Sequence, residues 1–289
     1  MNNGSFEWAK GMIVLDRTQA EIAPVGDSFA RDELLCQRVG EGRPPVCHLW
    51  RHPRAFVLGA KDSRLPGAPE AVRWLEREGY EPIVRGSGGA AVPLDDGVVN
   101  VSLIMPLSGT YAYGFRDDFT RMVELIKRTM AGYGLVVRHG EVEGSYCPGD
   151  YDLHIDGFKF CGIAQRRQVK AMIVSAFVNV AGSGDARAAL VRRFYDVAGI
   201  GAEAGDYPDV IAGRTTSLEE RGFAWGEGGL DASEGSDGLV SSFVGAIVRT
   251  LSYGDPVTAL AVSPPHELPD ASAIAEMRER LAIRYPIPR

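Results

Sequence analysis

The chain has 289 residues, 45% hydrophobic and 24% charged, a balance that suits a soluble globular protein long enough for a full core. Its 38 Asp and Glu outnumber 31 Lys and Arg, and the net charge of −7 argues against non-specific nucleic-acid binding. Four cysteines without paired spacing, with no CxxC or HExxH, suggest neither a disulfide framework nor a metal site, and the longest apolar stretch, Ala171 to Ala181, is broken by Ser175 and Asn179 and too short to span a membrane.

Along the chain, Asp27 is placed to cap a helix running to about Val39, closed by Gly40 and Gly42. Strands are expected at Val46 to Trp50 and Ala55 to Leu58, then a helix over Pro69 to Glu78, with proline at its start and Gly79 as its stop. A strand at Tyr80 to Arg85 leads into a glycine-rich turn, and Val98 to Met105 reads as a strand buried on both faces. Phe115, Phe119, Met122, Val123, Ile126 and Met130 keep helical spacing up to Gly132. Strands follow at Leu135 to Arg138, Tyr151 to Ile155, Phe158 to Ala164 and Val169 to Val180, with Asp156-Gly157 as a hairpin turn. Asp185 is placed to cap a helix to Ala198. Residues 199–238 are rich in glycine and acidic groups, including Gly226 to Gly229, around a short helix near Ser217 to Arg221. Helices fit Leu239 to Leu251 and Ala271 to Ile283. This order implies an α+β (mixed α/β) fold, a largely antiparallel sheet covered by helices with a small C-terminal helical part.

Two segments carry chemistry. Cys147 lies in Gly144-Ser145-Tyr146-Cys147-Pro148-Gly149, a loop composition that favours an accessible thiol. Lys159 lies in Phe158-Lys159-Phe160-Cys161-Gly162-Ile163-Ala164, where strand alternation puts it on the face of Cys161 and Ile163. A partly desolvated ammonium near a thiol would favour the thiolate, whose unperturbed pKa is about 8.5. Each residue also has a plainer reading. Cys147 can be a small buried hydrophobe, and Lys159 an edge-strand charge that deters aggregation. The turn Arg85-Gly86-Ser87-Gly88-Gly89 frees amide groups to meet a carbonyl or phosphate oxygen, but it lacks the Walker and dinucleotide patterns and alone is an ordinary turn.

Taken together, the Arg85 to Gly89 turn and the later Lys159, Gly162 and Gln165 resemble the biotin/lipoate protein ligase catalytic-domain family. The departures narrow the likeness. Leu94-Asp95-Asp96-Gly97-Val98-Val99-Asn100 has leucine where ATP-dependent ligases have histidine, and Cys147 stands in a loop where those ligases need no cysteine. Both features resemble the cysteine-dependent octanoyltransferase branch. The resemblance implies residues 44–230 as the catalytic domain, 1–43 as an N-terminal strand and helix packed on it, and 231–289 as a helical extension. It implies Cys147 as acyl-thioester nucleophile, Lys159 as the group that lowers the thiol pKa and contacts the carbonyl, and Arg85, Ser87, Gly88, Gly89 and Gly162 as substrate-binding residues. The implied donor is the octanoylated H protein of glycine cleavage, and the implied acceptors are lipoyl domains of 2-oxoacid dehydrogenase acyltransferase subunits. No ATP, metal, nucleic acid or membrane is expected to take part, and the expected location is cytoplasmic. Loading from octanoyl acyl carrier protein, ATP-dependent ligation, carrier binding without catalysis, and a thioesterase or peptidase using His139 or His154 remain as alternatives. Val84, Val92 and the Phe158 to Ile163 region are expected to line an acyl slot, with Arg166, Arg167 and Lys170 as a basic edge for an acidic carrier.

Overall fold

The computed structural model describes residues 8–107, 115–223, 235–252 and 268–289, so the Gly226 to Gly229 stretch lies outside the described residues. Ten strands and six α-helices are described: β1 (Ile13–Asp16), α1 (Val25–Gly40), β2 (Val46–Trp50), β3 (Arg54–Leu58), α2 (Ala68–Arg77), β4 (Glu81–Val84), β5 (Val92–Asp95), β6 (Val98–Pro106), α3 (Phe115–Ala131), β7 (Arg138–His139), β8 (Leu153–Ile155), β9 (Phe158–Arg167), β10 (Ala171–Asn179), α4 (Gly184–Ala198), α5 (Gly235–Leu251) and α6 (Ala271–Arg284). The strands form a seven-stranded sheet in the order β1-β2-β6-β10-β9-β8-β7 and a three-stranded sheet in the order β4-β3-β5. In the larger sheet only β1 and β2 run parallel, in keeping with the expected largely antiparallel sheet.

Alternation sorts the long central strands between two cores. Val99, Val101, Leu103 and Met105 of β6 and Met172, Val174, Ala176 and Val178 of β10 enter one core with Met122, Leu125 and Ile126 of α3 and Phe243 and Ile247 of α5. The residues between them face the opposite way. There, Ile104 and Ile173 pack under α1, while Phe177 joins a second core built on the small sheet, α2 and α4. Burial on both faces explains the near-continuous apolar sequence of β6.

Expected and observed elements differ where tertiary partners decide. Helix α1 starts at Val25, after Pro24, with no side-chain cap; the Glu81 carboxylate accepts the Val25 N–H at 3.0 and 3.1 Å. Asp27 instead pairs with Arg278 of α6 at 2.6 Å. Ser183, not Asp185, caps α4 by accepting the Ala186 N–H. The Asp156-Gly157 turn has positive φ at both residues, 53° and 85°, as a tight two-residue hairpin requires.

The strand carrying Lys159 departs from simple alternation. Leu153 pairs with Cys161 and the adjacent His154 with Lys159, leaving Phe160 as the extra residue of a β-bulge. Phe160 and Cys161 therefore both enter the first core, and Lys159 moves to the face of Gly162, where a Cβ would stand 3.3 Å from its Cε. The expectation that Lys159 shares a face with Cys161 is corrected by this single inserted residue.

Candidate active site

Cys147 sits on the long connection from β7 to β8, where the chain turns through an unfavourable conformation, φ = 48°. Such a conformation costs about 1–3 kcal/mol and persists only where its surroundings hold it. Here they do. The preceding Tyr146 is fully buried, donates its hydroxyl to Asn179 Oδ1 at 3.1 Å and stacks on Phe177. Beneath the turn, the Lys159 ammonium donates to the carbonyl oxygens of Tyr146, at 2.8 Å, and Cys147.

Lys159 is wholly buried and needs a counter-charge, which the sequence reading did not assign. Asp152 supplies it at 2.7 Å and also accepts the Gly149 N–H at 3.1 Å. Burial is the main influence on Asp152 and pushes its carboxyl up to about 6, with the Lys159 charge opposing the rise. The folded protein then holds this proton more firmly than the unfolded chain between about pH 3.8 and 6. The ionised carboxylate therefore costs stability at neutral pH, and that cost is relieved as pH falls through about 6. Protonation also removes the counter-charge of Lys159. Thiol acylation rates measured from pH 8 down to 5 are therefore expected to fall below about pH 6, and Asp152→Asn is expected to remove that acid limb. An unchanged limb in the variant would assign it to another group.

The cation touching the sulfur is Arg85, not Lys159. Arg85 Nη2 and the Ala90 N–H each stand 3.3 Å from Cys147 Sγ, and Arg85 Nη2 also donates to the Ala90 carbonyl at 2.7 Å. The glycine-rich turn thus wraps the thiol from the small sheet. Gly89 has φ = 95°, and a Cβ there would lie 2.5 Å from Arg85 Nη2 and 2.9 Å from Cys147 Sγ, so only glycine lets the turn approach this closely. The turn is fixed from behind by Asp62, which accepts the Gly59 N–H at 2.7 Å and the Tyr195 hydroxyl at 2.9 Å; that hydroxyl accepts the Ala91 N–H. Gly89→Ala is expected to slow thiol acylation by on the order of 10² while the protein still folds, because it displaces the sulfur from its donors. A wild-type rate in stopped-flow or quenched mass measurements would show the close approach to be dispensable.

Cys147 is only 8% exposed, so the expected open loop thiol is instead enclosed. It borders a cavity of about 240 Å³ between the two sheets. Ser87, Val84, Val92, Gly162 and Ile163 line it, together with Arg85. Phe158 and Phe160 do not: Phe158 lies against the Arg221 guanidinium and Phe160 is in the other core. Gly162 is required at the floor, since a Cβ would come within 2.5 Å of the Phe177 ring. Gly88 adjoins open space. His139 meets Lys127 and His154 accepts the Gly157 N–H, while the sulfur's partners are Arg85 and Ala90, so the geometry supplies no Cys–His pair. Of the expected basic edge, Arg166 pairs with Glu33 and Arg167 with Asp118, while Lys170 is exposed.

Among the described residues no group of three or more His, Cys, Asp or Glu is arranged to hold a metal, and no helix is long and apolar enough to cross a membrane. The lipoyl protein ligase A/B catalytic domain matches residues 24–220. An octanoyl-[GcvH]:protein N-octanoyltransferase of Geobacillus kaustophilus is 44% identical over 207 residues, 70% of this chain and 73% of that protein. One of the same name from Macrococcus caseolyticus is 42% identical over 194 residues, 67% and 70% of the two chains. Among solved structures, a lipoate-protein ligase A bound with ATP superposes with a TM-score of 0.61 at 17% identity, covering 93% of this chain and 92% of its own. A putative lipoate protein ligase from T. acidophilum with bound lipoic acid gives 0.58 at 16% identity, covering 94% of each chain. At such identities these two structures speak for the fold alone.

Proposed function

Because the chain belongs to the lipoyl protein ligase A/B catalytic-domain family, we propose that it is a protein N-octanoyltransferase working through a thioester on Cys147. The observation that carries this is a thiol held at the wall of an apolar cavity by two hydrogen-bond donors, over a buried lysine that fixes its turn. The donor is the octanoylated H protein of glycine cleavage, the substrate named for the relatives at 42–44% identity. The acceptors are lysines on the lipoyl domains of 2-oxoacid dehydrogenase acyltransferase subunits.

In the first step the Cys147 sulfur attacks the octanoyl amide carbonyl. A carbon–sulfur bond forms, the carbon–nitrogen bond breaks, and the donor lysine leaves as an amine that takes up the thiol's proton. In the second, the neutral amine of the acceptor lysine attacks the thioester. A new amide forms, and the proton released from nitrogen returns to the departing sulfur. One amide replaces another, so the exchange is nearly balanced and requires no ATP. The barrier is kinetic, and losing one well-placed donor to the developing oxyanion typically costs about 10² to 10³ in rate. Arg85 and the Ala90 N–H, already at the sulfur, stand beside the carbon that will carry it. Lys159 serves by holding the Cys147 turn.

Intact-protein mass spectrometry after mixing with octanoylated H protein, without nucleotide, tests the reading. One added octanoyl group, removed by hydroxylamine and passed to a fresh lipoyl domain, is the expected result. Acceptor modification that appears only with free octanoate and ATP would make the protein a ligase.

A further inference from the structure

Cross-strand register lays out the cavity floor in rows. Gly162, Phe177, Asn100 and Trp50 stand side by side on β9, β10, β6 and β2; the next row toward α1 is Ala164, Ser175, Ser102 and His48; the third begins with Arg166 and Ile173. Small side chains at Gly162, Ala164, Ser175 and Ser102 leave a channel along the strand direction, and all four line the cavity that Cys147 borders. Alternate residues along a strand are about 6.7 Å apart, so the first and third rows are separated by about 13 Å. An extended eight-carbon chain spans about 9 Å, reckoned from the reach of an extended backbone with the same number of bonds. Less about 4 Å of van der Waals contact at the closing side chain, the 13 Å leave about 9 Å, which the chain fills as far as Arg166, paired with Glu33 at 3.0 Å.

The opposite wall of this channel comes from the end of the chain. Arg278, Leu281, Ala282 and Tyr285 recur at helical spacing along α6 and just past it, and all four line the cavity. Arg278 is drawn against α1 by Asp27, and its side chain packs at Gly26. The Arg166 guanidinium lies over the Tyr285 ring, 5.6 Å from the ring centroid, and the ring lies against Gly86, where a Cβ would come within 2.6 Å of it. Tyr285 thus covers Arg166, the third-row residue that Glu33 pairs. This helix follows residues 24–220, the part matched by the family.

We infer that α6 with Tyr285 is the specificity-determining wall of the acyl cavity, limiting straight chains to about eight carbons. This rests on the acyl-transfer reading above. The test titrates hexanoate, octanoate, decanoate and dodecanoate into the full-length protein by calorimetry and, in parallel, records uptake of octanoyl from octanoylated H protein by mass. The wild type is expected to favour octanoate over dodecanoate by about tenfold or more, on the scale at which apolar pockets discriminate methylenes. Tyr285→Ala is expected to erase most of that preference by removing the ring from the channel wall while Arg166 keeps its ion pair with Glu33, and Leu281→Trp to move the optimum to hexanoate by filling the channel from α6. Leu281→Trp decides alone should Tyr285→Ala fail to fold. If the wild type takes up octanoyl but neither substitution alters its chain-length profile, α6 is not the gauge and only this inference falls. If the wild type binds no fatty acid and takes up no octanoyl, the acyl-transfer reading falls and this one with it.

Discussion

Cys147→Ala is expected to leave no acyl adduct on the protein and to lower transfer between carriers by about 10⁴-fold or more, the scale on which removing a covalent nucleophile acts. The sulfur is the only side-chain atom lost beyond Cβ; of its two donors Arg85 keeps the Ala90 carbonyl and lines the cavity, and only the Ala90 N–H loses its partner. Folding should therefore change by no more than about 1.5 kcal/mol, within the common range for single substitutions. The decisive comparison sets hydroxylamine-labile mass gain against urea unfolding of the same sample. Normal unfolding with no adduct assigns the loss to chemistry. Substantial transfer by the variant would remove Cys147 from the reaction.

The second large effect concerns Lys159. Lys159→Met leaves the Asp152 carboxylate buried without its counter-charge, and breaking a buried pair from one side typically costs about 3–5 kcal/mol. The deficit should shrink as pH falls, because an unpaired Asp152 relieves its burial by taking up a proton. Removing both charges in Lys159→Met/Asp152→Leu replaces the pair by apolar groups of similar size and is expected to recover most of the stability. Acylation should not recover. The carbonyl oxygens of Tyr146 and Cys147 would still lack their donor, and the turn at φ = 48° would still lack its hold. Chemical unfolding and single-turnover acylation of the two variants separate these roles. A double variant with wild-type acylation would reduce Lys159 to a structural charge.

How far the sequence discloses this site depends on whether the deciding contact is local. Long central strands and the helices over them follow from periodicity, and the Asp156-Gly157 turn follows from residue chemistry. Strand β1 is a four-residue edge, and β5 is an edge strand containing Pro93, so neither has the alternation or length that marks a strand. The cysteine, the lysine and the glycine-rich turn could be picked out from residue type and setting. Their pairing could not, because the Phe160 bulge moves Lys159 to the other face and Arg85 reaches the sulfur from a different sheet. Asp152 had a usable signal: a lysine between two phenylalanines in a buried strand demands an acid nearby, and the Asp150-Tyr151-Asp152 run offers one.

The thiol and its donors lie 62 and 57 residues apart in sequence and arrive on opposite sides of a sheet-to-sheet seam. That seam gives the protein a built-in reporter of partial opening. A fluctuation that parts the small sheet from the large one would free the sulfur of Arg85 and Ala90 before the core beneath α3 and α5 is breached, so alkylation of Cys147 that persists when octanoate fills the cavity should track sub-global opening. Cys36, Cys47 and Cys161 are wholly buried, and burial raises their thiol pKa values, to about 12 for Cys36. They should label only on deeper unfolding, so one chain carries separate clocks for the loosening of its seam and the loss of its core.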